Sequence, residues 1–173
     1  MGVRSVIFSE CKTETRNNIG MRNDVERDTS GLSIRRLTAD DADAAAELSS
    51  QLGYPCSGDD LRGRIEETLR STDRVAFAAV LDEQVVGWID AAVERHLQSR
   101  ACAVIGGLVV RDGARGFGIG RRLCAEVEGW ARSQSIAVVR VRSQIKREDA
   151  HRFYLRDGYS KVKTSYVFEK PVL

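Results

Sequence analysis

Residues 105–123 read IGGLVVRDGARGFGIGRRL, from Ile105 to Leu123. Six residues to Val110 close an apolar run that starts at Ala101. Such a run suits a strand buried on both faces. A glycine-rich loop from Arg111 to Gly120 follows, and then a segment with Leu123, Val127, Trp130 and Ala131 on one helical face. The order is therefore buried strand, glycine loop, amphipathic helix. A helix start of this kind presents unpaired backbone N–H groups and the positive end of the helix dipole. Gly116, Gly118 and Gly120 remove side chains there, so an anion can approach the backbone closely. Arg115, Arg121 and Arg122 add cationic donors. A phosphate-bearing ligand fits this chemistry. A nucleoside-triphosphate loop needs a lysine and a hydroxyl residue after its last glycine, and Gly120 is followed by two arginines. A dinucleotide fingerprint needs G-x-G-x-x-G, and these glycines fall as G-x-G-x-G.

Working outward, Leu32 to Leu37 alternates like an edge strand. Thr38 to Asp41 and Ser57 to Asp60 each resemble a capping box ahead of a helix. The first helix carries Ala45, Leu48 and Leu52 and stops at Gly53; the second carries Leu61, Ile65 and Leu69. Val75–Leu81 and Val85–Val93 read as a hairpin around Asp82 and Glu83. Beyond the glycine loop and its helix come a buried strand, Ile136–Val141, a short helix, Glu148–Arg156, and a last strand, Thr164–Glu169. The element order is βααβββαβαβ, an α/β (α+β) fold with a mixed sheet flanked by helices. Residues 1–31 are polar apart from a patch at Val3 to Phe8 and read as an N-terminal extension to a domain of residues 32–173. Residues 1–20 are expected to be dispensable for catalysis, unless Val3 to Phe8 docks as an element of a homodimer.

Composition narrows the function classes. The net charge is +2, from 27 basic and 25 acidic side chains, which gives no bulk argument for nucleic acid. The four cysteines form no C-x-x-C and the histidines number two, so neither a metal site nor a disulfide framework is expected. No apolar run is long enough to span a bilayer, and the N-terminus lacks the pattern of a signal peptide. The expectation is a cytoplasmic protein with no membrane or nucleic-acid partner.

Two segments at a fixed separation resemble the GNAT superfamily of N-acetyltransferases. Arg115-Gly-Phe-Gly-Ile-Gly120 matches its R-x-x-G-x-G core, and Ala150 to Tyr159 resembles its A-x-x-F-Y-x-x-x-G-[F/Y] block. The resemblance covers about residues 32–170 and implies the mostly antiparallel sheet of the acyl-CoA N-acyltransferase fold. It implies acetyl-CoA as cosubstrate, with its pyrophosphate on the amides near Arg115, Gly116, Gly118, Gly120 and Arg121. The strand end at Leu108, Val109 and Val110 would lie along the pantetheine amides, as an added strand does. Gly106 and Gly107 are where a β-bulge is expected to splay the neighbouring strand and open that edge.

The same resemblance implies that Tyr154 protonates the leaving thiolate. It also exposes two departures. Many relatives carry a carboxylate where Gly106 and Gly107 stand, which leaves the base unassigned. Many carry asparagine where Arg147 stands; this arginine would contact a CoA phosphate or be solvated. The hairpin strand offers Asp90, Glu94 and His96, which share a face if no bulge intervenes. Glu94, nearest the strand end, is the expected base, directly or through water; Asp90 is equally an anchor for the acceptor amine. The expected acceptor is a small-molecule primary amine. A peptide or protein amine, and a sensor that binds acetyl-CoA without turnover, are the alternatives. Cys56 reads as an ordinary free thiol, His151 as a surface residue, and Trp88 and Trp130 as core.

Overall fold

The computed structural model describes residues 30–172, so nearly all of the polar extension lies outside the described residues. Its elements run β1 (Ser33–Arg36), α1 (Ala42–Leu52), α2 (Gly58–Arg70), β2 (Arg74–Leu81), β3 (Gln84–His96), β4 (Ser99–Val110), α3 (Ile119–Ser133), β5 (Val139–Val141) and α4 (Glu148–Arg156). The strands form one sheet in the order β1-β2-β3-β4-β5. The first four are antiparallel neighbours, and β5 joins β4 in parallel. Parallel pairing there is forced, because α3 carries the chain back before β5 begins.

Local chemistry sets most boundaries. Thr38 donates its N–H (2.8 Å) and its hydroxyl (3.0 Å) to Asp41 Oδ2, at the short 3-10 turn that leads into α1. Ser57 Oγ accepts from the Asp60 N–H at 3.1 Å and so caps α2. Gly53 ends α1 at φ 93°, the left-handed position that glycine fills most cheaply. Asp82 and Glu83 both take positive φ, 49° and 64°, as a two-residue turn between twisted strands demands.

The sheet separates two apolar layers. On one face α3 packs Ile119, Leu123, Cys124, Val127 and Trp130 against Phe77, Ile89, Ala91, Ala103 and Ile105. On the other, Ala42, Ala45 and Leu48 of α1 and Ile65 of α2 meet Ala76, Ala78, Val85 and Val109. Side chains alternate across a strand, so a sheet covered on both faces needs apolar residues in both registers.

Asp41 does more than start α1. Arg35 of β1 forks onto its two oxygens at 2.7 and 2.8 Å, tying the edge strand to the helix entry. These donors outweigh burial and hold the Asp41 carboxyl below its ordinary range. A depressed carboxylate stabilises the fold above its ordinary pKa and loses that contribution as pH falls through the depressed one. Asp41→Ala is expected to cost about 1–2 kcal/mol at pH 7. The deficit should shrink towards pH 3 in urea unfolding curves.

Two expectations need correction. The strand expected at Ile136–Val141 is only Val139–Val141. Ile136 is buried in the α3 layer instead, its N–H bonded to Ala131 O as the helix ends. The strand expected at Thr164–Glu169 is absent among the described residues. Its residues alternate correctly, but Tyr166, Val167 and Phe168 are nine-tenths or more exposed and pair with no strand among the described residues. Alternation supplies a face; a strand also needs a neighbour for its backbone.

Candidate active site

The expected bulge exists. Asp90 pairs with Gly107 and Ala91 with Ile105, so Gly106 is the extra residue of β4. The partnership with β5 stops at the same point, its last pair being Ile105 with Val141. From Gly107 to Val110, β4 therefore pairs with β3 on one side and, among the described residues, with no strand on the other. Leu108, Val109 and Val110 lie on this stretch. Val109 is buried under α1 and α2, while Leu108 and Val110 are half-buried.

The glycine loop leaves β4 at Arg111, passes a 3-10 turn over Asp112–Ala114 and enters α3 at Gly118. Gly116 and Gly118 have φ of 90° and 74°, conformations that L side chains seldom adopt. A Cβ on either would meet no atom within 4 Å, so the space above both is open. Gly120 serves a different end. A Cβ there would come within 3.2 Å of the Phe153 ring, so this glycine lets α4 close on α3.

The charge at the α3 start is distinctive. α1, α2 and α4 each carry acidic side chains in the first turn, and α3 carries none. Its opening residues include Arg121 and Arg122 instead. Helix geometry leaves the first amides of α3 without intrahelical acceptors, as the first return bond runs from Arg122 N–H to Gly118 O. The other helices neutralise their positive ends internally; this one can take an external anion. The arginines divide the work. Arg122 donates to Leu32 O at 3.3 Å and holds β1. Arg115 lies against Asp112 and donates to Val110 O. Arg121 is highly exposed and 3.6 Å from Asp157.

Ser143, two residues past the end of β5, has a buried hydroxyl with no protein partner. An orphaned polar atom beside the gap between β4 and β5 is what a polar ligand could satisfy. No local pattern marks it, since its burial depends on where β5 ends. The open glycine turn, the acid-free helix start, the unpaired β4 edge and this hydroxyl all suit the diphosphate and amide-bearing arm of CoA.

Tyr154 lies on α4, its ring edge-on to Phe153 (5.1 Å) and Tyr159 (5.5 Å) and packed against the α3 layer. Burial pushes its pKa up, and the charge of Arg147 pulls the other way. The phenol is therefore protonated throughout the neutral range. Arg147 is half-buried, and its Nη2 donates to Leu52 O at 2.8 Å, at the end of α1. His151 Nε2 lies 3.0 Å from Gln144 O. Cys124 is fully buried, its thiol pushed up to about 12 by burial, so it is inert.

The three acidic or basic candidates of β3 separate sharply. Glu94 receives Arg142 Nη1 and Nη2 at 2.7 and 2.6 Å, with His96 at 3.4 Å. Those donors hold its carboxyl below the ordinary range. His96 is the last residue of β3. Asp90 lies four residues before Glu94, about 13 Å back along the strand, opposite the bulge. Among the described residues no group of side chains could hold a metal ion, and no helix is long and apolar enough to cross a membrane.

A sheet opened at a bulge, beside a glycine-turned and acid-free helix start, defines an N-acyltransferase fold. The chain belongs to the acetyltransferase (GNAT) family, whose sequence profile matches residues 41–159. It is an acyltransferase of the N-acetyltransferase class. Over 82 residues, 47% of this chain and 53% of the relative, it is 40% identical to the aminoalkylphosphonate N-acetyltransferase of Salmonella typhimurium. That match spans about half the relative's length. Over 145 residues, 80% of this chain and 93% of the relative, it is 26% identical to the aminoglycoside N(6')-acetyltransferase type 1 of Stenotrophomonas maltophilia. Among solved structures, aminoglycoside N-acetyltransferase AAC(6')-Iy in complex with CoA has a TM-score of 0.74, covering 82% of this chain and 95% of that one at 18% identity. AAC(6')-Ih from Acinetobacter baumannii has a TM-score of 0.72, over 82% of this chain and 99% of that one, also at 18% identity.

Proposed function

We propose that this protein transfers the acetyl group of acetyl-CoA to the primary amine of a small-molecule acceptor by direct attack on the thioester, with Tyr154 as general acid. The observation that carries this reading is the β4 edge opened at Gly106 and leading straight into the acid-free start of α3. Backbone amides near Arg115, Gly116, Gly118, Gly120 and Arg121 would take the pyrophosphate. Leu108, Val109 and Val110 would align the pantetheine arm, which sets the thioester beside the bulge. Direct attack needs the amine and thioester held together, and positioning of this kind is worth several kcal/mol. The two relatives named for aminoalkylphosphonates and aminoglycosides support a small amine as acceptor. Free, scattered cysteines, Cys56, Cys102 and Cys124 among them, suit a reducing compartment such as the cytoplasm.

A panel of amines tests the reading by release of CoA thiol from acetyl-CoA. The panel holds aminoalkylphosphonates, aminosugars, polyamines, amino acids and short peptides with free N-termini. Turnover should be confined to small amines. Turnover on the peptides alone would move the acceptor to the peptide class, and CoA binding without release by any amine would make the protein a sensor.

A further inference from the structure

Gly106 and Gly107 differ from the loop glycines. Neither takes a positive φ, so conformation does not require glycine at these positions. They supply space instead. A Cβ on Gly106 would sit 2.6 Å from Asp90 Oδ2. One on Gly107 would sit 3.0 Å from Asp90 Oδ1 and 2.7 Å from the Trp88 ring. Real side chains do not approach so closely. Trp88 is anchored by its indole N–H to Ala45 O at 3.2 Å, and the Gly107 N–H faces the Asp90 carboxyl and favours its charged form. The notch in β4 is thus filled by a carboxylate from β3. Gly106 is itself exposed, so the carboxylate lies beneath a part of β4 that a ligand can reach, at the point where β4 and β5 separate.

We propose that Asp90 is the proton acceptor of the reaction, presented from β3 through the gap that Gly106 and Gly107 leave at the bulge. The proposal rests on the acetyltransferase reading and assigns that reading's missing base. An acceptor ammonium gives one proton to Asp90, directly or through one water. The freed nitrogen lone pair forms the C–N bond to the thioester carbonyl carbon. The C–S bond then breaks with its electron pair on sulfur, which takes the Tyr154 proton. The nitrogen's second proton returns to the phenol through solvent, and Asp90 releases its own to solvent. The amide, free CoA thiol and one proton result.

The surroundings suit that task. Burial pushes the Asp90 carboxyl up to about 6, against the opposing pull of the Gly107 N–H and of Arg74 on β2. Arg74 is the charged side chain acting on it among the described residues, and is itself bonded to Glu67 of α2. Across the notch, β4 presents only the two glycines. Near the end of β5, Arg142 is committed to Glu94. A carboxylate near 6 is largely ionised at pH 7 yet more basic than an ordinary one. Glu94 is shifted the opposite way by its arginine and makes the weaker base.

Asp90→Asn keeps shape and removes the basic oxygen. With a lysine-type acceptor amine of pKa about 10.4, kcat/KM at pH 7 should fall by about 10² to 10⁴. The deficit should narrow as pH approaches the amine pKa, and be smaller for an acceptor of pKa about 8. CoA affinity should be unchanged. The unfolded chain ionises Asp90 near the ordinary value of about 3.9 and the folded protein only near 6, so the destabilisation builds between those values and is complete above them; Asp90→Asn should raise Tm at pH 8 and leave it level at pH 3. Glu94→Gln should keep the parent pH profile. An Asp90→Asn protein with parent rates and no dependence on amine pKa overturns the proposal. So does a loss confined to CoA affinity or accompanied by a lower Tm at pH 8, and so does the base-like profile appearing in Glu94→Gln. A parent protein that binds CoA but releases no thiol with any amine overturns the acetyltransferase reading itself, and Asp90's role with it.

Discussion

Gly118→Asn should abolish measurable CoA binding while the protein stays folded. Gly118 is the N-cap of α3 at φ 74°, and asparagine is among the few side chains that tolerate this region. Backbone strain is therefore kept small, which valine at the same position would not allow. The new side chain enters the open space above the turn, where a Cβ meets nothing within 4 Å in the protein. That space is where a diphosphate must come to reach the first amides of α3. Each charge-assisted hydrogen bond lost is worth about 1.5–3 kcal/mol. Two such losses weaken binding by about 10² to 10⁴. Isothermal titration with CoA, beside a melting curve, separates the effects. Parent-like affinity in a folded Gly118→Asn protein would remove the pyrophosphate from this loop. The neighbouring Gly120→Ala should behave differently, lowering stability by crowding Phe153 rather than blocking ligand.

Tyr154→Phe should lower kcat by about 10² to 10⁴ with little change in KM for acetyl-CoA. The substitution keeps the ring and its edge contacts with Phe153 and Tyr159. It removes only the proton donor. A CoA thiol has a pKa near that of cysteine, about 8.5, so proton transfer from a phenol is uphill and burial makes it more so. The site must offset that cost. The charge of Arg147 already acts in that direction on the phenol. The gap between parent and variant should close for an acetyl thioester whose thiol is more acidic, because a better leaving group needs less help. Equal rates with both thioesters would show that the thiolate departs unassisted. A fall that is identical for both would make Tyr154 a packing residue.

The readable parts of this protein were those whose signal is local. Glycines at 116 and 118 announce a turn whose φ values few other residues accept, and the missing acid at the α3 start is visible in the residues themselves. The two capping sequences and the Asp82–Glu83 turn each act within four residues, and all three placed their elements correctly. The Gly106–Gly107 pair marked the bulge because a strand interior seldom tolerates two glycines without a reason.

What remained illegible depends on register and on distant partners. Residues 90, 94 and 96 form one polar stripe in sequence, and alternation alone ranks none above the others. Glu94 is committed by Arg142, 48 residues away in the chain. Asp90 is set apart because the β3–β4 register puts it opposite Gly107, with the extra residue Gly106 beside it. A shift of one residue would turn the carboxylate to the other face. The Thr164–Glu169 segment fails for the same reason in reverse: it has the alternation of a strand and finds no edge to pair with. The glycine turn before α3, the helix starts and the element order up to α4 are written in the residues, since each follows from dihedral preference, capping or periodicity over a few positions. Which carboxylate fills the glycine notch depends on how β3 and β4 pair, because the pairing energy lies between strands and no single strand encodes its neighbour's register.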